Sequence, residues 1–390
     1  MSQLFHNYYQ CGDEKFYNIF QAFAHQKKTA HYPLYKIDQE FVDSISNFSK
    51  PRRYDREYLQ GLMVKRLREI RKKYNKVKLA YGGGTDSHTI VKVCADNDIH
   101  LDEVIIQMSS ITGNLRTNLE YVAGLKHIKQ YEGKQIGKIT ELHPTRDDLK
   151  FIDDPDWYQN ENINAGANLP WRVYSLRKMI TDSMAGEHDA IMITGHDKPR
   201  FLIEDGILYW CVSDKGVGEM MGTPNTLPLF FDKENPELTV GMAYAMLDHI
   251  DIDVSNKQTR DISFNMLGTE KKYKILEACG FHRMRNHFLN VGLLGKALFN
   301  HNRKNKRFIN ELRELGEHDF LEKIFDTHKR IFKLYGDLPD AINNMSVIPL
   351  DASQRLARIR GADRYKYIIG VQSTGRRSQK VPILQDKFGS

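Results

Sequence analysis

The sequence predicts an α/β protein with an open, mainly parallel, doubly wound sheet and an additional helical C-terminal domain. Three observations lead to this fold. Short apolar runs alternate with stretches of helical spacing over residues 77–194. A glycine-rich turn follows the first apolar run, as in the strand–turn–helix part of a βαβ unit. Over residues 269–335 the spacing is helical almost throughout. Such alternation is typical of a sheet with helices on both faces.

Composition places the chain among ordinary globular proteins. It has 390 residues, of which 41% are hydrophobic and 27% are charged, enough to bury a core without disulfides. Shifts in pattern divide it into an N-terminal segment (1–53), an α/β domain (54–250), a helical domain (251–345) and a basic C-terminal segment (346–390). We expect a cytoplasmic protein without a membrane partner, because no stretch approaches the roughly 18 consecutive apolar residues that span a bilayer.

Before the glycine-rich turn, the pattern predicts a small mixed segment and one amphipathic helix. We expect a helix over residues 14–24 and a short strand over 33–37. Over residues 58–74 apolar side chains recur at spacings of three and four, with arginine and lysine between them. This spacing predicts a helix with one buried face.

The βαβ pattern continues well past the glycine-rich turn. Predicted strands cover residues 77–80, 103–108, 139–143 and 190–194, and predicted helices cover residues 88–96, 115–131 and 171–184. This order favours parallel strands joined by right-handed crossovers.

Beyond the sheet, local patterns predict a hairpin and several helix boundaries. Residues 201–214 read as a hairpin that turns at the Asp-Gly pair 205–206. An Asn-Pro pair opens a helix over residues 235–250. Gly280 and Gly316 are expected to end helices.

The glycine-rich turn carries the predicted chemistry. Its residues are Gly82, Gly83, Gly84, Thr85, Asp86 and Ser87. Consecutive glycines let the backbone bring N–H groups against a ligand, and the helix that follows attracts anions to its N-terminus. The pattern therefore predicts a phosphate cradle. It is not a Walker A loop, because no Gly-Lys-Ser/Thr closes it, and it lacks the third glycine of a dinucleotide fingerprint. The alternative is a capped helix start without a ligand.

Two motifs resemble one known family. Residues 82–87 resemble the Ser-Gly-Gly-x-Asp-Ser loop of the PP-loop ATP pyrophosphatases, the adenine nucleotide α-hydrolase-like group, with Gly82 in place of the family's serine. Residues 194–197 read Thr-Gly-His-Asp, similar to the Thr-Gly-His-x-x-Asp-Asp turn after a later strand in several members. The resemblance covers residues 72–200 and implies a PP-loop, HUP-like sheet. The rest is loosely similar to uncharacterised PP-loop proteins, some of them encoded by large bacteriophages.

The resemblance also implies an activity. Members split ATP between the α and β phosphates with Mg²⁺, and a nitrogen or sulfur nucleophile displaces AMP from the adenylated acceptor. It assigns catalysis to Asp86, Ser87 and Lys198, and Mg²⁺ to Asp86. It places the nucleotide against Gly82, Gly83, Gly84, Thr85, Asp86, Ser87, Met108, Thr194, Gly195, Asp197 and Arg200.

The acceptor is not identified by the sequence. The four cysteines form no pair of the kind that thiolating members often use, so we expect an amide ligase or a nucleobase-modifying enzyme. Its acceptor is a small molecule or a nucleic acid. The alternative is a PP-loop scaffold without catalysis that binds nucleotide or nucleic acid. A second copy of the chain, in a homo-oligomer, is a further candidate partner.

Excess positive charge lies at the C-terminal end. Residues 345–390 carry +6 of the formal net charge of +7. We expect Arg376, Arg377 or Lys380 to reach the pyrophosphate as a lid; the alternatives are contact with a nucleic-acid backbone and a solvated tail. The run 303–307 is also basic. The spacing of three histidines is unsuited to a metal site: His282, His287 and His301.

Overall fold

The structure is a computed structural model. It describes residues 8–16, 21, 25, 28–29, 34–36, 40, 44, 51–108, 110–113, 115, 118–157, 178, 182–195, 200–204, 207–213, 225–249, 260–262, 269–282, 309–334 and 366–368.

A small antiparallel sheet forms near the start of the chain. Its strands are β1 (Tyr8–Cys11), β2 (Glu14–Phe16) and β3 (Leu34–Lys36), in the order β2-β1-β3. Gly12 has a φ of +62° in the two-residue turn between β1 and β2. Because this turn reverses the chain, residues 14–16 pair with β1, which corrects the helix expected from residue 14. The strand expected around residue 35 is confirmed as β3.

The remaining elements alternate as the sequence predicts through the α/β region. In chain order they are α1 (Arg56–Lys73), β4 (Lys76–Tyr81), α2 (Thr85–Asp96), β5 (Leu101–Gln107), α3 (Leu119–Lys129), β6 (Ile136–Leu142), β7 (Ala190–Thr194), β8 (Arg200–Glu204), β9 (Ile207–Ser213), β10 (Thr226–Pro228), α4 (Pro236–Leu247), β11 (Arg260–Ile262), α5 (Thr269–Ala278), α6 (His318–Leu334) and β12 (Lys366–Ile368). Residues 309–314 are also helical.

Within the described residues, the central sheet has five parallel strands in the order β10-β7-β4-β5-β6. From β4 the chain adds β5 and β6 on one side, then returns to add β7 and β10 on the other. The strand order therefore reverses between β4 and β7. This is the doubly wound arrangement, and it confirms the predicted α/β class with a parallel sheet.

The two faces of the sheet pack against different groups of side chains. Val77, Leu79 and Tyr81 of β4 belong to the main core, together with buried side chains of α1, α2, α3 and α4. Ile105 and Met192 point to the opposite face, where a smaller cluster forms. Successive residues of a strand alternate between faces, which explains why both faces of these apolar runs are buried. Most of the helix expected over 171–184 lies outside the described residues.

Helix α1 packs against the sheet through the predicted apolar stripe. The Asp55 side chain accepts a hydrogen bond from the Tyr58 N–H and caps the helix. On the buried side, the Arg66 Nε atom lies 2.5 Å from a carboxylate oxygen of Asp232, and its Nη1 atom lies 2.8 Å from Glu234. These ion pairs connect α1 to the segment that follows β10.

The two predicted glycine helix stops are confirmed. Gly280 ends α5 with a φ of +86°, and the Phe281 N–H donates to the Leu276 carbonyl. Gly316 has a φ of +73°, and the Glu317 N–H donates to the Leu312 carbonyl. Both glycines adopt the left-handed conformation of a Schellman motif. In α4, the Asn235 cap and the proline at the first turn are also as predicted.

A second, antiparallel sheet has the order β11-β8-β9-β12. The predicted hairpin strands are confirmed, since β8 and β9 pair antiparallel as far as Glu204 and Ile207; the expected turn at 205–206 lies outside the described residues. The edge strands β11 and β12 are three residues each and were missed, because so short a run has no readable period. β11 also lies in the range expected to be helical. In the part of the chain that is described, no helix is both long and apolar enough to cross a membrane.

Candidate functional site

The glycine-rich turn joins the end of β4 to the start of α2. Gly83 has a φ of +72°, a conformation that favours glycine. Gly84 is the N-cap of α2, and no side chain makes a capping hydrogen bond there. The first N–H groups of a helix have no partner within the helix. The sequence therefore builds a helix N-terminus whose first amides have no partner within the helix.

Ser87 stabilises this turn from inside. Its side chain is buried, its Oγ accepts a hydrogen bond from the Gly82 N–H at 3.3 Å, and its hydroxyl donates to the Gly84 carbonyl at 3.4 Å. Thr85 and Asp86 are partly exposed. Of the predicted phosphate ligands, Thr85 and Asp86 are thus partly accessible, with one carboxylate oxygen of Asp86 buried, whereas the Ser87 hydroxyl is used within the loop.

The end of β7 contacts the first turn of α2. A Cβ atom placed on Gly195 would lie 2.7 Å from the Ser87 nitrogen and 2.9 Å from the Asp86 carbonyl carbon. Thr194, just before it, is fully buried. The structure therefore brings Thr194 and Gly195 of the second motif against the glycine-rich turn, more than a hundred residues away in the chain.

Part of the second motif is not described. His196, Asp197 and Lys198 lie outside the described residues, and Arg200 is described only as the first residue of β8. Met108 follows β5, is buried, and donates its N–H to the Leu142 carbonyl at 2.9 Å.

Helix α3 contacts the glycine-rich turn through Gly124, which the sequence pattern did not mark as a site residue. A Cβ atom on Gly124 would lie 3.0 Å from the Tyr81 ring and 3.2 Å from the Gly83 Cα atom. An isolated glycine inside a helical pattern indicates such a close approach. Its partners, Tyr81 and Gly83, lie about 40 residues earlier in the chain, so the local sequence around Gly124 does not identify them.

The turn lies where ligands bind in sheets of this kind. It follows β4, and Thr194 and Gly195 lie at the end of β7, so both groups lie at the carboxyl ends of the two strands between which the strand order reverses. Open α/β sheets bind ligands in the crevice at this switch point.

Tyr121 of α3 forms a polar cluster with Glu141 and His143 at the end of β6, which the sequence pattern did not predict. The Tyr121 hydroxyl donates a hydrogen bond to Glu141 and lies 3.3 Å from the His143 Nε2 atom. The same His143 nitrogen lies 3.7 Å from a Glu141 carboxylate oxygen. Lys129 lies 3.4 Å from the other oxygen. The tyrosine is 20 residues from its glutamate, so no local spacing links them.

Electrostatics keep the Glu141 carboxyl ionised. Burial alone would raise its pKa, but the hydrogen bond from Tyr121 and the charge of Lys129 outweigh burial, and the pKa lies below its ordinary value. Burial and the neighbouring carboxylate raise the pKa of the Tyr121 hydroxyl. Tyr121 therefore remains a hydrogen-bond donor to a negatively charged Glu141.

The helical segments 309–314 and 318–334 border the same edge of the sheet. The Ser110 hydroxyl, just beyond β5, lies 2.9 Å from both oxygens of the buried Glu311 carboxylate, and the Ile111 N–H donates to it at 3.0 Å. After β6, Arg146 lies 3.1 Å from Glu317 and stacks over the Phe320 ring. These contacts fix the helices beside the predicted site.

The other predicted features are described only in part. The His282 N–H donates to the Thr89 hydroxyl at 3.0 Å, and burial with the charge of Arg56 lowers the pKa of the His282 imidazole. Among the described side chains, no group of three His, Cys, Asp or Glu could hold a metal. Several basic and histidine residues fall outside the described part: His287, His301, residues 303–307, Arg376, Arg377 and Lys380.

Comparison of the chain with models of protein families, with curated proteins and with solved structures finds no match.

Proposed function

We propose that the protein is an ATP-dependent adenylyl-transfer enzyme of the PP-loop type. ATP binds at residues 82–87, and cleavage between its α and β phosphates yields AMP and pyrophosphate. One observation carries the proposal: a glycine-rich turn and a helix N-terminus lie together at the switch point of the sheet, against Thr194 and Gly195. Amides and a helix dipole at that place favour a phosphate.

The residues present fit a nucleotide. A Cβ atom on Gly82 would meet no atom within 4 Å, so the outer side of the turn is open to a ligand. Gly82 is exposed and Gly84 is partly exposed in the same turn. Asp86 would supply one carboxylate ligand to Mg²⁺, which commonly takes its other ligands from phosphates and water. When bound, the metal would neutralise charge on the phosphates.

The chain's contribution to the reaction is positioning and charge neutralisation. The turn amides hold the α-phosphate in place, and the cations after β7, Lys198 and Arg200, stabilise the departing pyrophosphate. The adenylyl group passes to an acceptor, from which a nitrogen nucleophile then displaces AMP. Water takes the place of the acceptor slowly when ATP is supplied alone.

Asp86→Ala tests this function, with Asp96→Ala at the other end of the same helix as the matched control. We expect Asp86→Ala to weaken Mg·ATP binding and to abolish AMP formation without loss of folding, because it removes a carboxylate from the phosphate site. Asp96, which pairs with Lys92 on the surface, should be dispensable. Calorimetry measures binding, and chromatography together with pyrophosphate–ATP exchange measures turnover.

Two results would contradict the proposal. If Asp86→Ala binds and cleaves ATP like the wild type, the nucleotide site lies elsewhere. ADP as the sole nucleotide product means cleavage at the γ-phosphate.

A second candidate function is nucleotide binding without catalysis. It is favoured by Gly82, which lacks the family's hydroxyl, and by Ser87, whose hydroxyl is used inside the loop. Mg·ATP binding without AMP formation, in the wild type and in Gly82→Ser, would support it over the enzyme.

A further inference from the structure

The cluster of Tyr121, Glu141 and His143 lies two strands away from the glycine-rich turn in the sheet. The strand register places Tyr81, Ile106 and Glu141 in one row, since Tyr81 pairs with Ile106 and Ile106 with Glu141. Two strand spacings separate the ends of this row, about 10 Å. His143 is two residues beyond Glu141, as Gly83 is two residues beyond Tyr81, and residues two apart share a face. The cluster and the turn therefore lie at one edge of the sheet.

Helix α3 connects the two groups physically. Gly124 contacts Gly83 of the turn, and Tyr121, three residues earlier, contacts Glu141 and His143. Residues three apart lie on the same face of a helix, about one turn or 5 Å along its axis. A molecule that contacts the cluster is thus within reach of a nucleotide on the turn.

The hydrogen bonds of Tyr121 indicate which nitrogen of His143 carries a proton. Tyr121 has one hydroxyl hydrogen and donates it to Glu141. Its oxygen therefore accepts from His143, which places the proton of the neutral imidazole on Nε2. The Nδ1 atom is left with a lone pair, and the His143 side chain is 46% exposed.

We propose that His143 is the general base for the nucleophile of the adenylyl-transfer reaction, with Tyr121 and Glu141 as positioning residues. The inference rests on the proposed function and deepens it by naming the chemistry of the second substrate, a nitrogen compound that carries an N–H bond. This nitrogen attacks the carbon atom of the acceptor that carries the AMP oxygen. A C–N bond forms, and the bond between that carbon and the AMP oxygen breaks. AMP leaves with the electron pair, and the nitrogen's proton passes to His143 Nδ1.

With ATP alone, the same base serves water. An oxygen–phosphorus bond forms at the α-phosphate, and the bond to the bridging oxygen breaks. Pyrophosphate leaves with the electron pair, and the proton of water passes to His143 Nδ1. Release of AMP from Mg·ATP is therefore a measure of the base that requires no identified acceptor.

The chain offers a matched control histidine. His100 is 47% exposed, close to the 46% of His143, and its Nε2 atom also lies near a carboxylate, 4.0 Å from Asp102. It precedes β5, however, and so lies at the amino edge of the sheet, away from the turn. A general effect of removing a surface imidazole would appear in both variants.

The first test measures AMP release from Mg·ATP in the wild type, His143→Ala and His100→Ala. We expect His143→Ala to lower the rate about a hundredfold or more, the usual contribution of a general base, with unchanged ATP affinity. Added imidazole should restore part of this rate, because the site is open to solvent. His100→Ala should behave as the wild type.

The second test reads the imidazole directly and needs no turnover. Nitrogen NMR of labelled protein should show His143 protonated at Nε2, and Tyr121→Phe should shift it toward the other tautomer. Glu141→Gln and Tyr121→Phe should lower AMP release without changing ATP affinity, whereas a merely structural role would leave the tautomer unchanged.

The outcomes separate this inference from the proposed function. If Mg·ATP is bound and cleaved but His143→Ala cleaves it at the wild-type rate, the inference fails and the function stands. A proton on Nδ1 in the wild type also overturns it. If the wild type neither binds Mg·ATP nor forms AMP, the proposed function fails and the inference with it.

Discussion

Gly195→Ala probes the contact on which the predicted site depends. The added methyl carbon would lie 2.7 Å from the Ser87 nitrogen, 2.9 Å from the Asp86 carbonyl carbon and 3.0 Å from the Ser87 Cα atom. All three are backbone atoms, so no side-chain rotation can relieve the overlap. To restore ordinary contact, the end of β7 and the first turn of α2 must separate by about 1 Å.

This displacement has two measurable consequences. Overpacking of this kind costs about 1–3 kcal/mol of unfolding free energy. A misplacement of about 1 Å in a site that acts by positioning can lower the rate about a hundredfold. We therefore expect Gly195→Ala to unfold at lower denaturant concentration, and to bind Mg·ATP more weakly or cleave it more slowly.

Gly61→Ala is the matched control. Gly61 lies in α1 on the exposed surface, and a Cβ atom there would meet nothing within 4 Å. Alanine is a better helix former than glycine by about 1 kcal/mol, so this variant should be slightly more stable than the wild type with unchanged ATP binding. Urea unfolding and calorimetry measure both properties. Gly195→Ala that matches the wild type in stability, ATP affinity and AMP formation would refute the assigned contact and the site built on it.

Three further predictions concern the turn and the packing around it. Gly82→Ser should fold with unchanged unfolding free energy, because the site has open space for the side chain. A rise in AMP formation would show that the hydroxyl contacts the phosphate. A loss of stability in urea would contradict the geometry. Arg66→Ala should cost about 3–5 kcal/mol in urea unfolding, because it leaves the buried Asp232 carboxylate without its cation; a cost under about 1 kcal/mol would contradict the buried ion pair. Glu103 contributes stability that depends on pH: burial alone would raise the pKa of its carboxyl, but hydrogen bonds from Thr140 and Lys78 outweigh burial and hold it below its ordinary value. This contribution is complete above the ordinary glutamate pKa of about 4.3 and is lost as the pH falls through the lower folded-state value. The unfolding free energy of Glu103→Gln should therefore fall less than that of the wild type upon acidification, and parallel curves would contradict the assignment.

The sequence by itself determined the elements whose information is local. Alternating apolar runs and helical spacing predicted the strands of the central sheet apart from β10, because hydrophobic period and chain order together specify a βαβ unit. The helix ends at Gly280 and Gly316 and the pairing of β8 with β9 were predicted for the same reason, since each signal lies in one or two residues. The glycine-rich turn was recognised because its glycines are consecutive.

The tertiary structure decided which distant residues meet. Gly195 is placed against Ser87 by the parallel pairing of β4 with β7, and Glu141 is placed in a row with Tyr81 by the registers of β5 and β6. Register depends on how whole strands bury their apolar faces, and no short window of sequence contains that information. The edge strands β11 and β12 were likewise set by pairing, because three residues carry too weak an intrinsic preference to form a strand until a neighbouring strand supplies the hydrogen bonds.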